Sequence, residues 1–349
     1  MSFNKIAHSF QLAGIETATL NEGRSRNTRV AHLHTGSGLH YQVVIDRGMD
    51  ISWAFYRGHS LCWLSHAGVM PPEPSSIQNT EWLTNFGGGL LTTCGLDHTG
   101  PPENTPDGPK GLHGPYSNLP ATLTRVNQPD PLDSSFSIEG EVLQTRVFGP
   151  TLKMTRRISG NAGQNTITIQ DSIVNLGNES APHMILYHIN LGWPLVDEGS
   201  QVFWKGEIHA AKGSDAAPKP TKNGFICPPP VDVHSGASEK VQFIRPYPAN
   251  GSLSECGVYN PELNMMLLIN YDPDQFPWLT SWQHFGRKEY VTALEPCSSP
   301  PWGTSQAREQ DTMVYLEPGQ EIHYDTSIRI VDEPKQINAI LNNTHPLQL

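Results

Sequence analysis

Positive charge is scarce in this sequence of 349 residues. Lysine and arginine number 23 against 34 aspartate and glutamate residues, which gives a formal net charge of −11. An acidic surface repels phosphate groups, so nucleic acids and anionic membranes are unfavourable partners. No apolar run approaches the ~20 residues that span a bilayer, and the N-terminus lacks the apolar core of a secretory signal. These absences predict a cytoplasmic protein without nucleic-acid or membrane partners.

Cysteine is sparse as well, with five residues, an odd number, and no CxxC pair. This pattern indicates free thiols in a reducing compartment rather than a disulfide framework. Histidine is more frequent, at 15 residues. His32 and His34 would share one face of a strand, but no HxxxH helix or Cys/His cluster accompanies them. We therefore expect no metal centre.

Two common catalytic loops are also missing. Three consecutive glycines at 87–89 are not followed by Lys-Ser/Thr or by a long helical pattern, which excludes a P-loop. Ser298 and Ser299 lie outside any GxSxG sequence, so nothing supports a serine hydrolase.

Turn-forming residues are abundant, with 31 glycines and 30 prolines. Apolar and polar residues alternate strictly over 321–330, which predicts a strand with one buried face. Similar β-rich runs lie at 41–46, 136–148, 151–158, 165–174, 184–190, 201–209, 264–271, 278–285 and 290–295. Only 77–85 and 334–342 could form short helices. The pattern predicts an all-β protein, a large antiparallel sandwich, with 99–110 and 211–230 as long loops.

A carboxylate ends one of these predicted strands. Glu295 shares a strand face with Val291 and Ala293, and a stiff loop follows that contains Pro296 and Trp302. By position alone Glu295 could be an ordinary surface residue. A rigid, aromatic loop beside a carboxylate is, however, typical of sites that bind sugars, which present both apolar patches and hydroxyl groups.

Two histidine segments are further candidates. His188 and Asn190 alternate on the strand 184–190 and could line a pocket, although a lone strand histidine is usually structural. His113 lies between Gly111 and Gly114, which would let the backbone turn close to a ligand. A turn histidine without a function is the simpler interpretation of that segment.

Taken in order, three segments resemble motifs of the aldose 1-epimerase (galactose mutarotase-like) superfamily. Leu112–Gly114 is similar to its LHG motif, residues 187–192 to its central strand, and residues 293–296 to its late glutamate motif. The whole chain looks closest to an uncharacterised branch of that superfamily. The resemblance implies a β-supersandwich forming one domain over residues 1–349, with its core at about 20–330.

The resemblance also implies a function, the interconversion of α and β sugar anomers by ring opening and closure. Glu295 would be the base and His188 the acid, while His113 would hydrogen-bond the ring oxygen. Gln283 and Trp282 would donate to Glu295, and Trp302 and Trp193 would stack on the sugar. Proton transfer alone requires no cofactor. The expected partner is a small-molecule sugar. The sequence does not decide whether the protein forms a homodimer.

Arginines that hexose-6-phosphate relatives carry are absent from this chain, which has Asn85–Phe86 and Pro115–Ser117 in their places. Arg47 is our candidate for a replacement sugar-binding cation. Its alternative is a structural salt bridge to Asp46 or Asp50.

Two other functions fit the same fold, because fold does not fix function. One is a non-catalytic carbohydrate-binding protein, against which the Glu295/His188 pairing argues. The other is a different sugar isomerase or a lyase, although a lyase for acidic polymers would suit a basic groove better than a net charge of −11.

Overall fold

A computed structural model describes residues 3–213, 220–221, 223–232, 236, 239–248 and 251–343. Its strands are β1 Gly14–Thr19, β2 Arg29–His34, β3 Leu39–Val44, β4 Asp50–Tyr56, β5 His59–Ser60, β6 Thr92–Leu96, β7 Glu103–Thr105, β8 Gly108–Lys110, β9 Thr122–Asn127, β10 Ser135–Thr145, β11 Thr151–Asn161, β12 Thr166–Asn175, β13 Ala181–Gly192, β14 Gln201–Trp204, β15 Gly206–Gly213, β16 Gly224–Ile226, β17 Lys240–Pro246, β18 Ser254–Asn260, β19 Met265–Tyr271, β20 Trp278–Gly286, β21 Glu289–Cys297, β22 Val314–Leu316 and β23 Glu321–Val331. The α-helices of these residues are α1 Thr304–Glu309 and α2 Pro334–Asn343. Short 3₁₀ turns include Pro74–Ile77, Glu81–Thr84 and Tyr116–Asn118.

Two large antiparallel sheets form the body of the fold. The nine-stranded sheet has the order β16-β14-β18-β19-β23-β12-β11-β10-β9. The seven-stranded sheet runs β15-β17-β20-β21-β13-β22, and β6 also pairs with β13. A five-stranded sheet, β1 to β5, completes the main architecture. The prediction of an all-β antiparallel sandwich is confirmed.

The main hydrophobic core explains the alternation in the sequence. On β12, Ile167, Ile169 and Ile173 are buried, and on β23 Ile328 and Ile330 are buried. They pack in one continuous cluster with side chains of the seven-stranded sheet, such as Tyr187 and Leu294. Each of these strands therefore presents one apolar face to the core.

The central strand β13 differs, because all twelve of its residues are buried. Its inner face, including Ile185, Tyr187 and Ile189, belongs to the main core. Its outer face carries Leu186 in a second cluster that also contains Trp82 and Phe86. A strand covered on both faces places its polar side chains in an enclosed environment, and His188 is one of these.

The helical predictions were correct in part. Residues 334–342 fall in α2, whereas 77–85 contains the last residue of the 3₁₀ turn Pro74–Ile77 and the whole 3₁₀ turn Glu81–Thr84 instead of one helix. None of the helices in the described ranges is long and apolar enough to cross a membrane.

Candidate active site

Side chains from five neighbouring strands line a cavity of about 270 Å³ on the outer face of the seven-stranded sheet. In sheet order these are Lys212 of β15, Val241 of β17, Thr280 and Trp282 of β20, Glu295 of β21 and His188 of β13. Loops close the cavity with Trp82, Phe86, Gly100, Pro101, Leu112, His113 and Pro301.

Glu295 and His188 face each other across two paired strands. Leu186 pairs with Cys297 and Ile189 with Leu294, and this register sets His188 opposite Glu295. His188 Nε2 lies 3.2 Å from Glu295 Oε1. Glu295 Oε1 and His188 Nδ1 are buried and have no well-formed hydrogen bond within the described structure. Because buried polar atoms are normally satisfied, these two are ready to bind a polar ligand.

The His113 loop is held in a conformation that few residues adopt. His113 has φ 59° and Gly114 has φ 73°. A Cβ on residue 114 would lie 2.5 Å from the carbonyl oxygen of Gly95, so only glycine fits there. The backbone N–H of Gly100 donates to His113 Nδ1 at 3.4 Å. Nε2 is therefore the nitrogen that carries the hydrogen in the neutral ring.

Aromatic rings surround His188. Its ring centroid lies 5.3 Å from that of Phe86 and 5.4 Å from that of Trp282. His113 and His188 are 6.0 Å apart at nearly perpendicular planes, and Trp82 lies 4.9 Å from His113. Such a wall offers ring faces to the apolar side of a small polar ligand.

Burial dominates the electrostatics of Glu295, whose side chain is 3% exposed. Burial raises the pKa of Glu295 well above its ordinary value of 4.5. The negative charge of Glu239 raises this pKa further, and Lys212 lowers it. Glu239 also accepts a hydrogen bond from Trp282 Nε1 at 2.9 Å.

The two histidines are shifted in the opposite direction. Burial lowers the pKa of His188 to about 3. Burial, followed by the charges of His188 and His98, lowers the pKa of His113 well below 6.5. Burial therefore favours the protonated, uncharged form of Glu295 and the neutral form of both imidazoles.

The sequence did not identify Trp82, Phe86, Lys212 or Glu239 as site residues. Trp82, Lys212 and Glu239 lie outside the three motifs, and no local pattern marks them. Phe86 did have a signal, because Asn85–Phe86 occupies the place of an arginine in hexose-6-phosphate relatives. Conversely, Asn190 is buried beside His188 without lining the cavity. Its Nδ2 donates to the carbonyl oxygens of Gly89 and His188, which makes it a support for the strand.

Trp282 and Gln283, the two predicted hydrogen-bond donors to Glu295, do not donate to it in the structure. Trp282 lines the cavity, but its N–H is directed to Glu239. Gln283 is the next residue on β20, so its side chain points to the opposite, inner face of the sheet. The structure therefore does not bring Gln283 to Glu295.

Three further candidates also lie outside this cavity. Trp302 packs behind the wall, with its ring 5.2 Å from Phe243 and 5.9 Å from Trp278. Trp193 is 67% exposed and lines a different surface cavity. Arg47 lines a third cavity, and within the described ranges its side chain bonds to backbone carbonyl oxygens, not to Asp46 or Asp50.

Metal ligands do not converge in the described part of the chain. No group of three or more histidine, cysteine, aspartate or glutamate side chains in those residues could hold an ion. His32 is within 2.8 Å of Gln42, and His34 Nε2 is 2.9 Å from the carbonyl oxygen of Phe10. All five cysteines are free and buried.

Solved structures with the same fold include several sugar epimerases. A provisionally named aldose 1-epimerase from Klebsiella pneumoniae superposes with a TM-score of 0.81 at 22% identity, over 95% of this chain and 86% of that one. A galactose mutarotase-like protein from Clostridium acetobutylicum gives 0.62 at 14% identity, over 93% and 100% of the two chains. Galactose 1-epimerase from Lactobacillus acidophilus gives 0.56 at 11% identity, over 91% and 99%. These likenesses establish a galactose mutarotase-like fold.

A search of curated proteins finds no match. A sequence family described as a domain of unknown function, DUF4432, matches residues 25–330, which is most of the chain. The chain therefore belongs to the DUF4432 family, and its fold is that of the galactose mutarotase-like structures.

Proposed function

We propose that this protein is a sugar mutarotase that interconverts α and β anomers of a monosaccharide. The observation that carries the proposal is the 3.2 Å separation of Glu295 Oε1 and His188 Nε2 inside a small aromatic cavity. Mutarotation needs one group to take the proton of the anomeric hydroxyl and another to protonate the ring oxygen. A carboxyl and an imidazole in contact can perform both transfers.

The pair works with one shared proton. Burial opposes both the carboxylate and the imidazolium, so it favours the proton on Glu295 beside a neutral His188. Sugar hydroxyl groups that donate to the carboxylate would stabilise its charge. The proton could then pass to His188, which leaves a carboxylate base and an imidazolium acid. After the C1–C2 bond rotates, the reverse transfers close the ring.

His113 and the aromatic rings would position the sugar. The N–H at His113 Nε2 can donate to the ring oxygen or to a neighbouring hydroxyl. Trp82, Phe86 and Trp282 would contact the C–H faces of the ring. At the cavity rim, Glu239 and Lys212 supply an acceptor and a donor for other hydroxyls.

A carbohydrate-binding protein without catalysis is the second candidate. It would use the same aromatic walls, and the sugar-epimerase neighbours do not exclude it because their identity to this chain is low. The buried Glu295/His188 contact favours the enzyme, since a binding site has no need to maintain a costly buried acid–base pair.

Exchange spectroscopy at the anomeric proton tests the proposal directly, across a panel of aldoses and ketoses. For a sugar that the wild type turns over, Glu295→Gln should slow exchange by ~10²–10⁴-fold, because the amide cannot act as a base. His188→Asn should cause a similar loss. The double variant should be little worse than either single one, because the two groups act in one step.

Glu289→Gln is a matched control, because Glu289 lies at the other end of β21, outside the cavity. It should retain the wild-type rate. A Glu295→Gln rate within a few-fold of the wild type would contradict the assignment. Sugar binding without exchange in the wild type would establish the binding protein instead.

A further inference from the structure

A second cavity, of about 260 Å³, is lined by Arg47 and by the carboxylate of Asp50. Arg47 lies in the turn between β3 and β4. Its Nε donates to the carbonyl oxygen of Ser117. Its two terminal nitrogens reach the carbonyl oxygens of Met70 and Asn85 only at 3.5 Å. Hydrogen bonds of this length are weak, because well-formed N–H···O contacts measure about 2.7–3.2 Å.

The nearby carboxylates are occupied by other partners. Asp46 forms an ion pair with Arg29 at 2.6 Å, and Asp50 forms one with Arg156 at 2.9 Å. Among the described residues no carboxylate lies within ion-pair distance of Arg47. Burial lowers the pKa of Arg47 to about 10, so the side chain remains cationic at neutral pH. Asp50 and Glu73 attract the guanidinium from beyond ion-pair distance. The guanidinium therefore faces the cavity without a direct ion pair among the described residues.

The rest of the wall is mostly apolar. Trp53, Phe86, Leu91, Val69 and Met70 line it, and the polar side chains in the wall are Ser52, Thr92, Asn85, Ser117 and Asp50. Phe86 lines both this cavity and the Glu295 cavity, so the two are neighbours. A guanidinium in a mostly apolar wall is suited to hold an acid with an apolar body.

We propose that this cavity is a second ligand site, which binds a small organic monocarboxylate through the two terminal nitrogens of Arg47. A carboxylate matches the forked donors of a guanidinium. One negative charge would neutralise the one cation. A phosphate dianion would bring a second negative charge close to the Asp50 carboxylate, which lines the same cavity. The site therefore selects carboxylates over phosphate, and it is separate from the proposed sugar site.

Calorimetric titration of the full-length protein with acetate, isobutyrate, benzoate and inorganic phosphate at constant ionic strength tests the proposal. We expect saturable 1:1 binding that tightens from acetate to benzoate, and no binding of phosphate at the same site. Arg47→Gln should weaken benzoate binding by about 10-fold or more, because a charge-assisted pair is lost. The exposed Arg24→Gln should leave it unchanged.

Val69→Phe provides an independent test if Arg47→Gln does not fold. The larger ring should fill the cavity and block benzoate while Arg47 stays in place. Glu295→Gln should bind benzoate as the wild type does, which separates this site from the proposed catalytic one. The proposal is overturned if the wild type shows no saturable binding, if phosphate binds as tightly as benzoate, or if folded Arg47→Gln or Val69→Phe keeps the wild-type affinity.

Discussion

Glu295 sits between two opposing charges at the cavity rim. Glu239 makes its ionisation harder and Lys212 makes it easier, and both act on a carboxyl whose pKa burial has already raised. A general acid–base group works best when its pKa lies near the working pH. The rim charges therefore give the protein two independent means of adjusting the acid–base pair without altering the pair itself.

Charge changes at the rim should move the alkaline limb of the pH–rate profile. The active form of the pair holds one proton, and that proton is lost as the pH rises through the raised pKa of Glu295. Glu239→Gln removes a negative charge, lowers this pKa and should shift the limb to lower pH. Lys212→Met removes a positive charge and should shift the limb to higher pH.

The measurement is kcat/KM for mutarotation between about pH 4 and 10. Glu207→Gln, on the same strand as Lys212 but outside the cavity lining, serves as the control and should leave the limb in place. If the alkaline limb moved in the same direction for Glu239→Gln and Lys212→Met, the two charges would not be acting on the pKa of Glu295 as proposed.

The same raised pKa has a consequence for stability. A group with a raised pKa in the folded state contributes stability at low pH, and this contribution is lost as the pH rises through the folded-state value. The wild type should therefore lose stability relative to Glu295→Gln as the pH increases, because glutamine cannot ionise. Thermal unfolding of both proteins from pH 5 to 9 should show a growing advantage for the variant. A constant difference in Tm would show that Glu295 titrates normally.

Among the secondary-structure elements, several strands are linked through the buried guanidinium of Arg156. The side chain, on β11, is fully buried. It forms ion pairs with Asp171 of β12 at 2.6 Å and with Asp50 at the start of β4 at 2.9 Å. It also donates to Thr93 of β6 at 2.9 Å. This residue therefore connects strands of all three main sheets.

Arg156→Met should destabilise the protein by ~3–5 kcal/mol, because it leaves two buried carboxylates without their cation. Its neighbour Arg157 is exposed on the opposite side of β11, so Arg157→Met should cost less than about 0.5 kcal/mol. Urea unfolding followed by circular dichroism measures both. Equal stabilities of the two variants would mean that the buried network contributes little.

Local pattern predicted the strands well where one face meets the core. The segment 321–330 falls within β23 because its isoleucines alternate with polar residues. The resemblance to a family also predicts Glu295, His188 and His113 as site residues, and all three line one cavity. The positions of Gln283 and Trp302 relative to the cavity could not be predicted in this way. Gln283 faces inward because of the register of its strand. Trp302 packs outside the cavity because of the conformation of its loop. The neighbouring residues in the sequence do not determine either placement.

At the scale of the whole molecule, the seven-stranded sheet divides two environments. Its inner face is part of the continuous apolar core, and its outer face carries the second hydrophobic cluster and the polar row of the cavity. The site is therefore built on strands that the core already fixes, which suits chemistry that depends on a contact of 3.2 Å.

The five cysteines are buried at separate places in the fold, so their reaction with a thiol reagent reports local unfolding. Cys94 lies on β6, Cys256 on β18 and Cys297 on β21, and burial raises the pKa of Cys62 to about 11. An alkylating reagent attacks the thiolate, which a buried cysteine with a raised pKa does not form at pH 8. The reagent therefore reacts only after local unfolding exposes the thiol. Native labelling should be slower than labelling in urea by on the order of 10³-fold or more. Peptide mass spectrometry would then compare the opening of the seven-stranded sheet, through Cys94 and Cys297, with that of the nine-stranded sheet, through Cys256. Fast labelling of any one thiol would identify the part of the sandwich that opens first.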